Sequence, residues 1–209
     1  RVGGVAEALA QREPAVVTGA TWALAGAREA IVARVERCAG VVLRPRAGEN
    51  IVSGESNRWS RKRFSIRRLL RSDRFGQARL GFNECGLDLP DGFDDDASAV
   101  FATSSNLRTP VHSDPQDGLL AHVSGRKRLL VIHPADSDRD PRGLANVLKL
   151  RATSGSSDDV ANSPALAGLR CFRLLLREGD ALFLPKRWLH DVESLTPTIS
   201  LALRFPLSS

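Results

Sequence analysis

The sequence predicts an all-β core with flanking helices, arranged as a β-barrel or jelly roll. Its second half consists of short apolar segments of strand length, separated by turn residues such as Gly125 and Gly179. Two histidines that suggest a shared site, His112 and His190, lie far apart along the chain. A barrel or jelly roll brings such distant strands side by side. With 209 residues and 42% hydrophobic content, the chain can bury a sizeable core as one domain, 1–209.

The first part of this domain, residues 1–98, mixes helical and extended patterns that we expect to pack on the barrel. Apolar residues recur at helical spacing over 23–38, and a second, amphipathic helix is predicted over 64–71. A short helix and two strands complete this part, at 5–11, 15–18 and 41–44. The residues expected to face the core from the two longer helices are Leu24, Ala27, Ile31, Val35, Ile66, Leu69 and Leu70.

Residues 99–209 are expected to form the barrel itself. Its predicted strands are 99–103, 109–113, 119–123, 127–132, 172–176, 181–184 and 199–205. Gly125 is the expected hairpin turn between 119–123 and 127–132. The polar segments 136–142 and 155–163 are predicted loops, with a helical turn over 144–150 between them. A loop over 185–188 then delivers His190.

The most informative motif places His112 and Asp114 two positions apart. Side chains i and i+2 of a strand point to the same face, so these two would enter one cavity. His190 would join them from a neighbouring strand. Two imidazoles and one carboxylate are the ligand set of a non-haem Fe(II) site, which leaves three metal positions open. Two ordinary polar residues at a strand end are the alternative for the His-x-Asp motif alone.

These segments resemble the JmjC-type, cupin-like 2-oxoglutarate oxygenases. The resemblance is to the small hydroxylases similar to the asparaginyl hydroxylase that acts on hypoxia-inducible factor. It rests on three blocks: 12–20, then 109–114 with 125–134, then 179–195 with 198–201. It implies a double-stranded β-helix fold and Fe(II) bound by His112, Asp114 and His190, with 2-oxoglutarate and O₂ as co-substrates.

The resemblance also implies that the far carboxylate of 2-oxoglutarate meets Lys127 and Thr109. A carboxylate buried in a barrel requires a cation and a hydroxyl donor, so the two residue types suit this role. The alternative for Lys127 is a surface lysine in the basic turn 126–128.

The chain departs from the family pattern in its polar support residues. The family often has asparagine where this chain has Gly118, and another on the last strand, where this chain has Ala202. There is no tyrosine to contact the co-substrate. Arg204 is a candidate substitute cation, although such an arginine is more often an outward-facing residue on an edge strand.

Two further residues are candidates for substrate contact. His122 shares a predicted strand face with Leu120 and is a candidate to line the cavity near the iron, although an ordinary strand residue is the simpler interpretation. Trp188 lies two residues before His190 and is expected to pack at the barrel mouth rather than touch substrate. Glu193 and Ser194 are expected to hold the loop after His190.

Composition restricts the classes of partner. The net charge of +6 and pI of about 10.0 favour an acidic substrate or partner. The basic stretch 58–71 offers only two aromatic residues for base stacking, so the signal for nucleic acid is weak. Three widely spaced cysteines are typical of reduced thiols in a cytoplasmic protein. No apolar run reaches the roughly eighteen residues that a membrane span requires.

We therefore expect a cytoplasmic enzyme that hydroxylates a C–H bond. By resemblance the substrate is an amino-acid side chain, free or in a peptide or protein, or else a small metabolite. Gly118 and Ala202 favour an alternative, a metal-binding cupin without oxygenase activity, and the basic stretch favours an oxygenase acting on RNA or a nucleotide. Some relatives dimerise through C-terminal helices, a mode not expected for this chain.

Overall fold

Two antiparallel β-sheets form the fold in the computed structural model, which describes residues 10, 12–19, 28–44, 60–71, 76–135 and 156–207. Their strands are β1 (Ala15–Val17), β2 (Ala39–Arg44), β3 (Ser60–Ser65), β4 (Gln77–Leu80), β5 (Ala99–Thr103), β6 (Leu107–His112), β7 (Gly118–Ser124), β8 (Lys127–Ile132), β9 (Cys171–Leu176), β10 (Ala181–Leu184), β11 (Leu189–Ser194) and β12 (Thr198–Arg204). The larger sheet has the order β1-β10-β7-β12-β5-β4-β2-β3, and the smaller has the order β6-β11-β8-β9. The order confirms the predicted jelly-roll class, because neighbouring strands come from distant parts of the chain.

Among the described residues, three short α-helices cover the sheets: α1 (Arg28–Arg37), α2 (Ile66–Leu70) and α3 (Ser157–Ala161). Alternation along the strands divides the apolar residues between an inner and an outer face. Helices α1 and α2 bury their apolar residues against the outer face of the larger sheet, and α3 buries Val160 on the outer face of the smaller one. Leu129 and Val131 of β8 meet Leu182 and Leu184 of β10 between the sheets. The interior between the sheets is where the candidate site lies.

Most predicted elements are found, and three strands match residue for residue, β5, β8 and β10. Gly125 forms the β7–β8 turn with a positive φ of 84°, as predicted. The predicted helix over 23–38 begins at Arg28 within the described residues, and its Ile31 and Val35 are buried as expected. The helix predicted over 5–11, except Ala10, the loop over 136–142, the turn over 144–150, and the positions of Leu24 and Ala27 lie outside the described residues.

Some local predictions are wrong. Strands β3 and β4 were not anticipated, and the helix predicted over 64–71 starts only at Ile66, because the preceding residues pair with β2. The segment 155–163, predicted as a loop, contains α3, which Ser156 and Asp159 start with a reciprocal cap. Residues 193 and 194 belong to β11 and not to a loop. In each case pairing or packing with a distant segment outweighs the local pattern.

None of the helices in the described part of the chain is long and apolar enough to cross a membrane.

Candidate metal centre

Three side chains that could bind a metal ion converge where β6 and β11 lie side by side. We call these three residues the metal cluster. His112 is the last residue of β6 and pairs directly with His190 of β11, while Asp114 follows two positions after His112. The candidate ligand atoms of the three residues all lie within 4.8 Å of one another, and the two imidazole centroids are 4.1 Å apart. The structure therefore brings together the three residues that the sequence singled out.

The backbone orients both imidazoles in the same way. Nδ1 of His112 lies 2.8 Å from the carbonyl of Pro110, and Nδ1 of His190 lies 3.0 Å from the carbonyl of Trp188. A carbonyl only accepts, so each Nδ1 carries the proton and each Nε2 presents a lone pair. Burial, and next the neighbouring His112, lower the pKa of His190 to about 3, so its ring is neutral at pH 7. This tautomer is the one that a metal ligand requires.

Asp114 supplies the negative charge of the cluster. Burial alone would raise its pKa, but the neighbouring His190, Arg204 and His112 together hold the pKa below its ordinary value. Its Oδ2 lies 3.5 Å from Nε2 of His190 and 2.6 Å from the guanidinium of Arg204. The backbone N–H of Arg187 also donates to the Asp114 carbonyl at 3.0 Å, which ties the 185–188 loop to this residue.

The donor set fits a divalent transition metal. Two imidazoles and one carboxylate as the protein ligands leave other metal positions open, as non-haem Fe(II) chemistry requires. Asp114 is 19% exposed, so the cluster lies at the open end of the interior rather than sealed within it. The residues present therefore fit Fe(II).

A second polar region lies deeper between the sheets, and we call it the inner chamber. It is formed by buried side chains that alternate with the outer-face residues of their strands: Thr103, His122, Lys127, Ser194, Thr198 and Ser200. In the larger sheet His122 pairs with Ser200, whereas Gly118 pairs with Arg204 beside Asp114. Four residues along a strand correspond to about 13 Å of backbone, so the inner chamber lies about that far along the strands from the metal cluster.

Several buried polar groups of the inner chamber have no partner among the described residues. Lys127 is 6% exposed, and no acidic side chain among the described residues pairs with it. Burial lowers its pKa to about 8, which leaves it charged at pH 7. Nε2 of His122 and Oγ1 of Thr103 are buried without any hydrogen-bond partner in the described structure. Unpaired buried polar groups are rare, so these groups, together with the buried ammonium of Lys127, indicate a place for a polar ligand that carries an anionic group.

The remaining candidate residues are distributed along this interior. Thr109 pairs with Val192 on the inner side of the smaller sheet, between the metal cluster and Lys127. His122 lies in the inner chamber, with Nδ1 3.0 Å from Oγ of Ser200, rather than near the metal cluster. Trp188 is buried among the aliphatic residues between the sheets and contacts the edge of His133.

Arg204 is the residue whose place the sequence described least well. The alternative of an outward-facing residue on an edge strand is wrong, because β12 lies between β7 and β5 and the guanidinium reaches Asp114. Strand alternation was the available signal: Ser200, Ala202 and Arg204 share one face.

A buried polar network, not anticipated from the sequence, supports β11 from behind. Asp191, next to His190, accepts hydrogen bonds from Arg108 at 2.7 Å and from Oγ of Ser157 at 2.6 Å. The backbone N–H of Ser157 donates to Glu193 at 3.0 Å. All four residues are buried, so the network fixes α3 against the strand that carries His190.

Replacing Ser157 by alanine should lower the free energy of unfolding by about 2 kcal/mol, because a buried carboxylate loses a hydrogen-bond donor. Urea unfolding would measure this. Asp158→Asn on the same helix is the matched control, since its exposed ion pair with Arg128 should contribute less than about 0.5 kcal/mol. Equal effects of the two variants would contradict the importance of the network.

The fold and this cluster define a class of protein. A family model described as a cupin-like domain matches residues 82–205, and the chain belongs to that family. The membership confirms the predicted cupin-like relationship, and JmjC-containing relatives agree with it. The narrower likeness to the asparaginyl hydroxylase remains a prediction.

Particular relatives match a little under half of the chain. It is 36% identical over 98 residues to Jumonji C domain-containing protein 5 of Drosophila melanogaster, covering 45% of this chain and 24% of that protein. It is 34% identical over 103 residues to tRNA wybutosine-synthesizing protein 5 of Homo sapiens, covering 46% and 30%. For lysine-specific demethylase JMJ30 of Arabidopsis thaliana the identity is 27% over 96 residues, covering 45% and 22%. The matched region spans less than a third of each relative.

Proposed function

We propose that this protein is an Fe(II)- and 2-oxoglutarate-dependent dioxygenase that hydroxylates a C–H bond. The observation that carries the proposal is Lys127, a buried cation without a described acidic partner in the same interior as the His112, Asp114 and His190 cluster. A buried unpaired charge destabilises the fold, so its presence here indicates that an anionic ligand pairs with it. A dicarboxylate that bridges the two ends would supply the missing anion.

In this proposal His112, Asp114 and His190 would hold Fe(II) through the two imidazoles and the carboxylate. With 2-oxoglutarate and O₂ bound, the iron supplies the oxidising power for hydroxylation, and succinate and CO₂ are the by-products. The neutral imidazole of His190 and the lowered pKa of Asp114 suit metal binding at pH 7. The aliphatic residues between the sheets keep water away from the inner end.

Lys127 and Thr109 bind the far carboxylate of 2-oxoglutarate in this arrangement. The ammonium supplies the charge, and the Thr109 hydroxyl donates a hydrogen bond partway along the cavity. Nε2 of His122 is a further buried polar atom of the inner chamber that has no hydrogen-bond partner among the described residues. The chain has no tyrosine, so no tyrosine hydroxyl takes part in recognition of that carboxylate.

The substrate proposed by family resemblance is an amino-acid side chain, free or within a peptide or protein, in the cytoplasm. One observation favours a second candidate, an oxygenase acting on RNA: matched relatives from four vertebrates are named tRNA wybutosine-synthesizing protein 5. Mass spectrometry would separate the two, since one added oxygen would appear on a peptide or amino acid in one case and on tRNA in the other.

The direct test measures conversion of 2-oxoglutarate to succinate by Fe(II)-loaded protein, purified without O₂ and then exposed to it. We expect slow turnover that needs both Fe(II) and O₂, because many oxygenases consume the co-substrate slowly without substrate. Binding of 2-oxoglutarate to the metal-loaded protein is measured in parallel. A protein that binds the metal but neither binds nor consumes 2-oxoglutarate would instead be a metal-binding cupin without oxygenase activity.

A further inference from the structure

Arg204 places a second positive charge directly at the metal cluster. It is the last residue of β12, and its Nη2 lies 2.6 Å from Oδ2 of Asp114. Both side chains are 19% exposed, so the pair lies at the open end of the interior. No other side chain in the described ranges pairs with this guanidinium, although it carries five N–H donors.

Gly118 makes room for this arginine. The two residues pair across β7 and β12, and a Cβ built on Gly118 would collide with Nη1 of Arg204 and lie 3.2 Å from its Cδ and Cζ. The φ of Gly118 lies outside the left-handed region, so its backbone conformation does not require glycine. The glycine is therefore explained by the space that the arginine side chain occupies.

The charges at the cluster do not balance once a divalent cation is bound. The guanidinium of Arg204 lies 2.6 Å from Asp114, which is the one carboxylate of the cluster among the described residues. A divalent ion engaging Asp114 would leave the guanidinium beside a second cation, in a mostly buried position. Buried charge is tolerated when it is paired, so an additional anion is required at this end. Lys127 is itself a cation, so it cannot balance the charge of Arg204. Lys127 also requires an anionic partner of its own.

Building on the proposed function, we propose that Arg204, whose side chain occupies the space that Gly118 leaves open, binds a carboxylate at the metal face, the side of the cluster where Arg204 meets Asp114. Guanidinium and carboxylate match in geometry, with two parallel hydrogen bonds available. The carboxylate belongs either to the keto-acid end of 2-oxoglutarate or to the hydroxylated substrate, which would then be an acid. Both sources present the same chemistry to Arg204.

The experiment uses Mn(II), which suits the same ligands and does not support O₂ chemistry at this site. Wild type is compared with Arg204→Gln, Arg204→Lys, Gly118→Ala and Lys127→Met. Three affinities are measured: Mn(II) by its free electron paramagnetic resonance signal, oxalate by calorimetry, and glutarate by calorimetry. Oxalate reports on the metal face, because it is too short to reach Lys127, and glutarate also reports on the inner chamber.

A fourth measurement separates the two sources of carboxylate. Acetate is added to Mn(II)-protein already saturated with 2-oxoglutarate, and the relaxation of its methyl protons reports binding close to the metal. If the keto-acid end is the ligand, Arg204→Gln weakens oxalate binding by about tenfold or more. If a substrate acid is the ligand, Arg204→Gln instead removes the acetate relaxation effect. Either result supports the inference.

The variants should distinguish a residue that binds the carboxylate from one that only supports the metal ligand Asp114. Arg204→Gln should keep its Mn(II) affinity within about threefold of wild type, and Arg204→Lys should retain part of the carboxylate affinity. Gly118→Ala should reproduce the loss, since the added Cβ displaces the guanidinium. Lys127→Met should weaken glutarate binding but leave oxalate binding unchanged. Circular dichroism melting of each metal-free variant tests whether it is folded.

Two results would overturn the inference while leaving the proposed function intact. In the first, oxalate and acetate bind Arg204→Gln as they bind wild type. In the second, Mn(II) affinity falls but neither the oxalate affinity nor the acetate effect per bound Mn(II) changes, so that Arg204 only orients Asp114. A wild-type protein that binds no Mn(II) would overturn the inference and the proposed function together.

Discussion

Replacing Asp114 by alanine should lower the affinity for Fe(II) or Mn(II) by at least about 100-fold and abolish 2-oxoglutarate turnover. Changes to groups that merely support metal ligands typically cost 10–100-fold in affinity, so the loss of a ligand should cost at least as much. Asp114 is also the one anionic ligand of the cluster among the described residues. Competition with a fluorescent chelator would measure the metal affinity, and succinate formation would measure turnover.

Two controls make this result specific. Asp88→Ala removes an exposed carboxylate elsewhere on the chain, and His133→Gln removes a histidine that is not part of the cluster. Both variants should bind the metal with wild-type affinity. If Asp114→Ala retained its metal affinity while remaining folded, the cluster would not be a metal site, and the His-x-Asp motif would be two polar residues at a strand end.

The metal cluster could be predicted because two of its three residues are close together in the sequence. His112 and Asp114 are two positions apart, and the period of a strand places them on one side without knowledge of the rest of the fold. The pairing of His190 with His112 is different, since strand register depends on the whole sheet. Family resemblance supplied that step, and the structure placed the two residues directly opposite each other.

Other features of the site could not be predicted because they depend on contacts between distant segments. The need for glycine at 118 is visible only when the Arg204 side chain is seen to cross it. The support of β11 by Ser157 requires α3, which the polar sequence of 155–163 did not suggest. The unpaired state of Lys127 likewise follows from what surrounds it and not from its place in a basic turn. Residue types indicated the chemistry, whereas packing determined which partners each group has.

Replacing Lys127 by methionine should stabilise the metal-free protein and at the same time weaken 2-oxoglutarate binding. Burial lowers the pKa of Lys127 from 10.5 to about 8, and each pKa unit corresponds to about 1.36 kcal/mol, so the buried charge costs roughly 3 kcal/mol at pH 7. Methionine fills a similar volume without the charge. Without the cation, 2-oxoglutarate affinity should fall by about 100-fold, as expected when one partner of a buried charge pair is removed.

The stability difference between Lys127→Met and wild type should depend on pH, in a direction that follows from the lowered pKa of Lys127. Between about pH 8 and 10.5 the unfolded chain keeps the Lys127 proton that the folded chain has released. The unfolded state then binds more protons, so the stability contributed by this group rises with pH across that window. The difference in unfolding free energy between Lys127→Met and wild type should therefore be largest below pH 8 and shrink towards pH 10.5.

Urea unfolding from pH 6 to 10.5 would measure that difference, with Lys186→Met as the control for an exposed lysine. The control should differ from wild type by less than about 0.5 kcal/mol at every pH, as surface substitutions usually do. A Lys127→Met protein that is less stable than wild type at pH 7 would mean that the ammonium already has an anionic partner within the chain. In that case the cation would not be held ready for a ligand. A variant that is more stable and unable to bind 2-oxoglutarate would establish that the chain gives up stability to keep a carboxylate-binding charge in its interior.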